Sequence, residues 1–211
     1  VCIVQRLCYQ HLQHMNLACL LCKSKELGTI ATKAAINSAN IDPSAIDAVY
    51  FGNVIQSSAD AAYLARHVGL KCGAPISSPA LTLNRLCGSG FETVIQGAKS
   101  IKLNEAKIVV CGGSENMSMA PLQADGNDVR WGVSLGSGLK MRDSLWDGLT
   151  DQHVGTPMGI TAENLAEKYG ISREVCLLAT CFFIYLHMQK THYIYSHLHG
   201  NQTYTFFCIG L

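Results

Sequence analysis

From Glu26 to Tyr169 the apolar residues recur with two alternating periods. Residues 26–39 set Leu27, Ile30, Ala31, Ala34 and Ala35 three and four apart, the spacing of an amphipathic helix. Asp42-Pro43 reads as a helix N-cap followed by proline at the first helical position. "AVYFGNVI" (48–55) is an apolar run of strand length. Residues 59–68 return to helical spacing and are expected to stop at Gly69. Residues 80–86 predict a strand. Residues 91–103 predict a helix with Phe91, Val94, Ile95, Ala98 and Ile101 inward. "KIVVC" (107–111) is a short buried strand running into Gly112-Gly113. From Pro121 to Gly159 the pattern is loop-rich, and Thr161 caps a last short helix to Tyr169. Helices alternating with strands predict an α/β fold with a mostly parallel sheet and helices on its faces.

Composition divides the chain differently. All 15 acidic residues lie between Glu26 and Glu174. The acid-free ends hold seven of the ten cysteines and six of the eight histidines, so they do not share the surface chemistry of the middle. Lys190 is the only charge after Glu174, among many Tyr, Phe, His and Cys. Soluble surfaces normally mix both signs of charge. Either the tail packs onto a partner or groove, or both ends are sequence outside the native reading frame. The composition favours the second reading.

A net charge of +1 without a basic run excludes an electrostatic nucleic-acid binder. The cysteine spacing does not form a disulfide framework and no secretory signal is visible, so reduced thiols are expected. The run 175–186 is shorter than the roughly 20 residues of a membrane crossing, and no transmembrane segment is expected. Cys19 and Cys22 with His11 and His14 have no second spaced pair, so no metal site is expected.

The chemistry concentrates in "NRLCGSGFE" (84–92). Cys87 follows a strand and precedes a helix, and Gly88 and Gly90 are expected to let the backbone turn sharply. A sulfur at a helix N-terminus faces unpaired N–H groups and the positive end of the helix dipole, which favour a thiolate. Those N–H groups also suit a developing oxyanion, so the arrangement is apt for acyl transfer through a thioester. By spacing alone, a small cysteine packing a turn explains CGSG equally well.

The longer context separates the two. "SSPALTLNRLCGSGFETVIQGAKSI", "VVCGGSENMSMAP", "DSLWDGLTDQHVGTPMGITAENLAEKYGISRE" and "GNVIQSSADAAYLARHVGL" together resemble the thiolase family, most nearly its mitochondrial 3-ketoacyl-CoA branch. The resemblance runs from about Glu26 to Val175. It implies the N-terminal αβα half of a thiolase-like fold (26–121), followed by the first part of a loop domain that covers coenzyme A (122–175). Residues 1–25 and 176–211 stand outside it as non-family segments. It further implies that Cys87 is the acylated nucleophile, with its own N–H in an oxyanion hole, and that Met158 lines the acyl pocket. Gly112, Gly113, Glu115 and Met117 fall beside the active site as architecture. The implied activity is that of a fatty-acid β-oxidation acyltransferase: thiolytic cleavage of 3-ketoacyl-CoA to acetyl-CoA and a shortened acyl-CoA. No cofactor is bound, coenzyme A is a co-substrate, and the other partners are acyl-CoA and further copies in a dimer or tetramer. "TAENLAEKYGISRE" and "GGSENMS" favour thiolase over the related ketoacyl and hydroxymethylglutaryl-CoA synthases.

Two family elements are missing. The family's Gly-His-Pro base is absent, since no histidine here precedes a proline. Its Cys-x-Gly acid/base has only weak counterparts: "CIG" at Cys208 lacks the following glycines, and "CGG" at Cys111 matches equally well. His67 and His153 sit at family-like positions without a catalytic role. The expectation is a truncated, impaired thiolase; the alternative is an inactive fragment that acts, if at all, as a dimerisation partner. The family branch implies a mitochondrial location. Residues 1–25, with Arg6, Lys23 and Lys25 and no acid, are compatible with a targeting segment.

Overall fold

The computed structural model describes residues 22–179. These divide into two compact units, one through Leu145 and one from Trp146. The expectations for His11, His14, Cys19, Cys208 and the tail from residue 180 onward lie outside the described residues.

The first unit is built on a parallel three-stranded sheet of order β2-β1-β3. Its elements are α1 (Ser24–Ala39), β1 (Ala48–Gly52), α2 (Leu64–Cys72), β2 (Ala80–Leu83), α3 (Ser89–Lys102) and β3 (Val109–Gly113). The chain moves from β1 to β2 through α2, then back across β1 to β3 through α3. Right-handed crossovers in opposite directions place the two helices on opposite faces. The packing agrees. Val49, Phe51 and Val110 face Leu64, Ala65, Val68 and Cys72 of α2 and Ile36 of α1. Ala48, Val109 and Cys111 form the other core, with Val94 and Ile101 of α3 against them. Phe51 is 0% exposed. Burying a phenylalanine contributes about 1.5–3 kcal/mol.

Close approach is made possible by missing side chains. A Cβ on Gly28 would lie 3.1 Å from both Phe51 and Val68, so α1 reaches the core through a glycine. A Cβ on Gly97 would lie 2.5 Å from the Cys111 sulfur. The rest of this unit is a short antiparallel pair, β4 (Leu122–Ala124) with β5 (Met141–Asp143), joined by α4 (Gly126–Arg130). α5 (Ser144–Leu149) leads into the second unit. There β6 (Thr150–Asp151) pairs with β7 (Thr156–Pro157), α6 spans Met158–Tyr169, and residues 173–179 are helical.

Element types follow the hydrophobic pattern; several faces and ends do not. Ile30 is 63% exposed, because α1 buries Gly28, Ala31, Thr32, Ala35 and Ile36 instead. α2 runs through Gly69, whose bare Cα packs on Val49, and stops at Gly73 with φ +91°. β2 ends at Leu83 rather than at residue 86. Phe91 is 68% exposed: α3 lies so close to the sheet that small residues, Ser89, Thr93, Gly97 and Ser100, are the ones buried. α6 begins at Met158 behind Pro157, so Thr161 is inside the helix and not its cap. Asp42 does cap as expected, accepting from the Ser44 N–H at 3.0 Å. The helix it caps is a single 3-10 turn.

The Gly97 contact yields a direct test. Gly97→Ala should lower unfolding stability by about 1–3 kcal/mol through overpacking. Cys111→Ala in the same chain should recover part of that loss, measured by urea denaturation.

Candidate active site

The carboxyl ends of the three strands converge where the winding of the sheet reverses, the place where open α/β sheets hold ligands. Cys87 stands there, exposed, between β2 and α3. The sharp turn is made by Leu86, whose φ is +49°. A left-handed backbone at a bulky residue costs about 1–3 kcal/mol and persists only where its surroundings hold it. Gly88, expected to make that turn, has an ordinary φ of −86° as the N-cap of α3. Its contribution is space, since a Cβ there would sit 3.3 Å from the Arg85 carbonyl.

The turn is closed by short bonds. The Leu86 N–H donates to Asn84 Oδ1 at 2.9 Å. The Leu86 carbonyl accepts from the Ser89 N–H at 2.9 Å and from Ser89 Oγ at 2.6 Å. Ser89 Oγ in turn accepts from the Arg85 N–H at 2.8 Å, and the Gly88 N–H donates to the Arg85 carbonyl at 3.1 Å. None of these bonds uses the Cys87 N–H. The Arg85 guanidinium pairs with Glu92, whose other oxygen accepts from Gln96 at 2.6 Å. Beneath the turn, a Cβ on Gly52 would lie 2.8 Å from the backbone carbon and Cβ of Ser89, so β1 ends directly against the first turn of α3.

The end of β3 supplies a carboxylate. Glu115 accepts from the Val54 N–H (2.8 Å), the Ile55 N–H (3.2 Å) and Asn53 Nδ2 (2.9 Å). Asn53 Nδ2 also donates to the Ser114 carbonyl at 2.9 Å, and the Asn53 N–H donates to the Leu83 carbonyl at 3.1 Å. Burial raises the Glu115 carboxyl above the usual carboxylate range, against the opposing pull of these donors. Gly112 is excluded from carrying a side chain, because a Cβ would meet the Phe51 ring at 2.9 Å. Met117 is half exposed in a 3-10 turn.

The remaining candidates lie elsewhere. Met158, 44% exposed, opens α6 in the second unit. His153 sits in the β6–β7 turn, its N–H on Asp151 Oδ1 at 2.8 Å. His67 belongs to α2: its ring stacks on Tyr63, and Nδ1 lies 3.6 Å from Asp60. Asp60 is held at a pKa of about 2, chiefly by its bond from Lys25 and then by Ser58. Cys111 is fully buried beneath Gly97. Among the described residues no cluster of His, Cys, Asp and Glu could hold a metal ion, and no helix is long and apolar enough to cross a membrane. Sequence reasoning missed Gly52, Asn53, Asn84 and Ser89. Their signal was their position at the ends of β1 and β2 and the start of α3, which spacing alone does not distinguish from ordinary turn chemistry.

Two expectations are measurable. Iodoacetamide at neutral pH should label Cys87 and the exposed Cys176 before Cys72 and Cys111, with Cys87 ahead of Cys176; peptide mass spectrometry reads the order. Burial pushes the Cys72 thiol up to about 11, which keeps it inert. For Glu115, a folded-state pKa raised by burial contributes stability that is complete below the unfolded value and is lost as pH rises through the folded one. The native chain should therefore lose urea stability relative to Glu115→Gln as pH rises from the ordinary carboxylate range through the raised folded-state value.

Comparison with known proteins bears on this geometry. A family profile described as thiolase, N-terminal domain, matches residues 3–176. Human mitochondrial 3-ketoacyl-CoA thiolase is 54% identical over 151 residues, 72% of this chain and 38% of that protein. An acetyl-CoA acetyltransferase of Pseudomonas aeruginosa is 39% identical over 153 residues, 71% of this chain and 37% of that one. The crystal structure of human mitochondrial 3-ketoacyl-CoA thiolase in complex with CoA matches with a TM-score of 0.71 at 52% identity, over 74% of this chain and 39% of that chain. The chain thus spans less than two fifths of the length of these relatives. With αβα layering, parallel strands and a profile match over most of its length, it has a thiolase-like fold and belongs to the thiolase family.

Proposed function

We propose that this chain carries the nucleophile of a 3-ketoacyl-CoA thiolase-type acyltransferase and that Cys87 is that nucleophile. The observation that supports this most is the strained turn at Leu86, which presents an exposed cysteine at the first turn of α3 in a thiolase-family chain. In this reading the Cys87 thiolate attacks the 3-keto carbonyl of 3-ketoacyl-CoA. The bond between the carbonyl carbon and the α-carbon breaks. The acyl group stays on sulfur as a thioester, and the acetyl-CoA carbanion takes up a proton. A CoA thiolate then attacks the thioester, releasing a shortened acyl-CoA and regenerating the Cys87 thiolate. The Cys87 N–H, left out of the turn's bonds, stabilises the oxyanion of each tetrahedral intermediate. Coenzyme A is a co-substrate and no cofactor is held. The protein works in mitochondria as a homo-oligomer.

Within these 211 residues no histidine precedes a proline, and Cys111, the described Cys-x-Gly cysteine, is buried under Gly97. His67 lies in the α2 packing, its ring stacked on Tyr63 and its Nδ1 3.6 Å from Asp60. In this reading the described residues bring neither the family's Gly-His-Pro base nor an exposed Cys-x-Gly acid to Cys87. Loss of the base from a nucleophile–base pair costs several orders of magnitude. The step this chain performs unaided is acylation of Cys87, with full turnover impaired. The same observation favours a second reading: a catalytically inactive chain that associates with a complete thiolase subunit.

Intact mass after incubation with acetyl-CoA should show one acetyl group on the chain and none on Cys87→Ser. Turnover of acetoacetyl-CoA with CoA should stay near the buffer blank. Absence of the acetyl adduct, with Cys87 intact, leaves only the inactive-partner reading.

A further inference from the structure

Leu86 holds a conformation that its side chain disfavours, so something must hold it there. Its carbonyl is held by Ser89, itself buried at the start of α3. Its N–H is held by Asn84 Oδ1. The other end of that amide, Nδ2, donates to the Val54 carbonyl at 3.3 Å. Val54 belongs to the loop after β1 whose N–H groups at 54 and 55 are fastened to Glu115. One side chain therefore joins the strained turn to the carboxylate at the end of β3. We propose that Asn84 is a positioning residue: by bridging Leu86 N–H and Val54 carbonyl it fixes the Cys87 turn against the strand ends, and so aims the sulfur at the first turn of α3. This deepens the nucleophile reading above and rests on it.

The reasoning is geometric. Without the Asn84 acceptor, the Leu86 peptide is held on one side only and can relax out of the left-handed region. The thiol then moves away from its place before the first turn of α3. A misplacement of about 1 Å costs on the order of a hundredfold in a reacting group. Glycine adopts a positive φ without strain, so Leu86→Gly should do through the backbone what Asn84 does through a bond.

The test uses the whole 211-residue chain. One readout is the ratio of Cys87 to Cys176 alkylation by iodoacetamide, which cancels global effects on thiol exposure. The urea midpoint is followed alongside. Asn84→Ala should lower the ratio about tenfold or more, with the midpoint little changed. Asn84→Asp retains an acceptor for Leu86 but loses the donor to Val54, and should recover part of the ratio. Asn84→Ala with Leu86→Gly should recover most of it. A ratio unchanged in Asn84→Ala, or one that falls only in step with the midpoint and is not recovered by Leu86→Gly, overturns the proposal. If Asn84→Ala does not fold, the Asn84→Asp ratio decides, and a native value there overturns it. Acetylation by acetyl-CoA is scored separately. If the native chain takes no acetyl group while the alkylation ratios follow the expected order, the nucleophile reading fails and the positioning role of Asn84 stands.

Discussion

β1 ends against the first turn of α3 with no side chain between them. A Cβ on Gly52 would fall 2.8 Å from Ser89, closer than real Cβ contacts allow, so this contact sets how low the helix rides on the sheet. The rest follows from that height. The buried face of α3 is made of Ser89, Thr93, Gly97 and Ser100, because nothing larger fits. Ser89 is pinned where its hydroxyl can hold both Arg85 and Leu86. The turn between β2 and α3 must then be tight, and the chain achieves it by forcing Leu86 to a positive φ.

The strand ends are tied by a second constraint of opposite character. Glu115 places a partly desolvated carboxyl between β3 and the loop after β1, which by itself is unfavourable. Three N–H donors from residues 53–55 compensate, and each of them fastens the loop. A partly buried polar group of this kind contributes specificity of placement more than net stability. Its effect reaches Cys87 through Val54 and Asn84, so the β1 and β3 ends and the β2–α3 turn form one bonded assembly.

That assembly can present a thiol, but a thiolase cycle also needs proton transfer. The chain spans 38% of human mitochondrial 3-ketoacyl-CoA thiolase, so its family membership describes a domain, and a complete activity is a further claim. Its two histidines between Glu26 and Glu174 are placed in structural settings, His67 in the α2 packing and His153 in a hairpin turn. A presented thiol and a competent enzyme are thus separable properties here.

Periodicity and turn chemistry determined the kinds and order of the elements. Apolar spacing marked α1, α2, α3 and β1, Asp42-Pro43 marked a cap, and "NRLCGSGFE" marked a cysteine at a strand–helix junction inside a thiolase-like context. These are local properties, set by side chains a few residues apart. Which faces are buried was not local. Ile30 and Phe91 point outward because glycines elsewhere let helices approach through small residues. Gly69 does not end α2, because packing on Val49 outweighs its weak helix propensity. The left-handed turn at Leu86 was likewise invisible, since the residues that enforce it are drawn from three strand ends. The sequence by itself determined that Cys87 sits between a strand and a helix. Only the tertiary structure decided how the thiol is held there, because strain at one residue survives only when distant backbone is bonded around it.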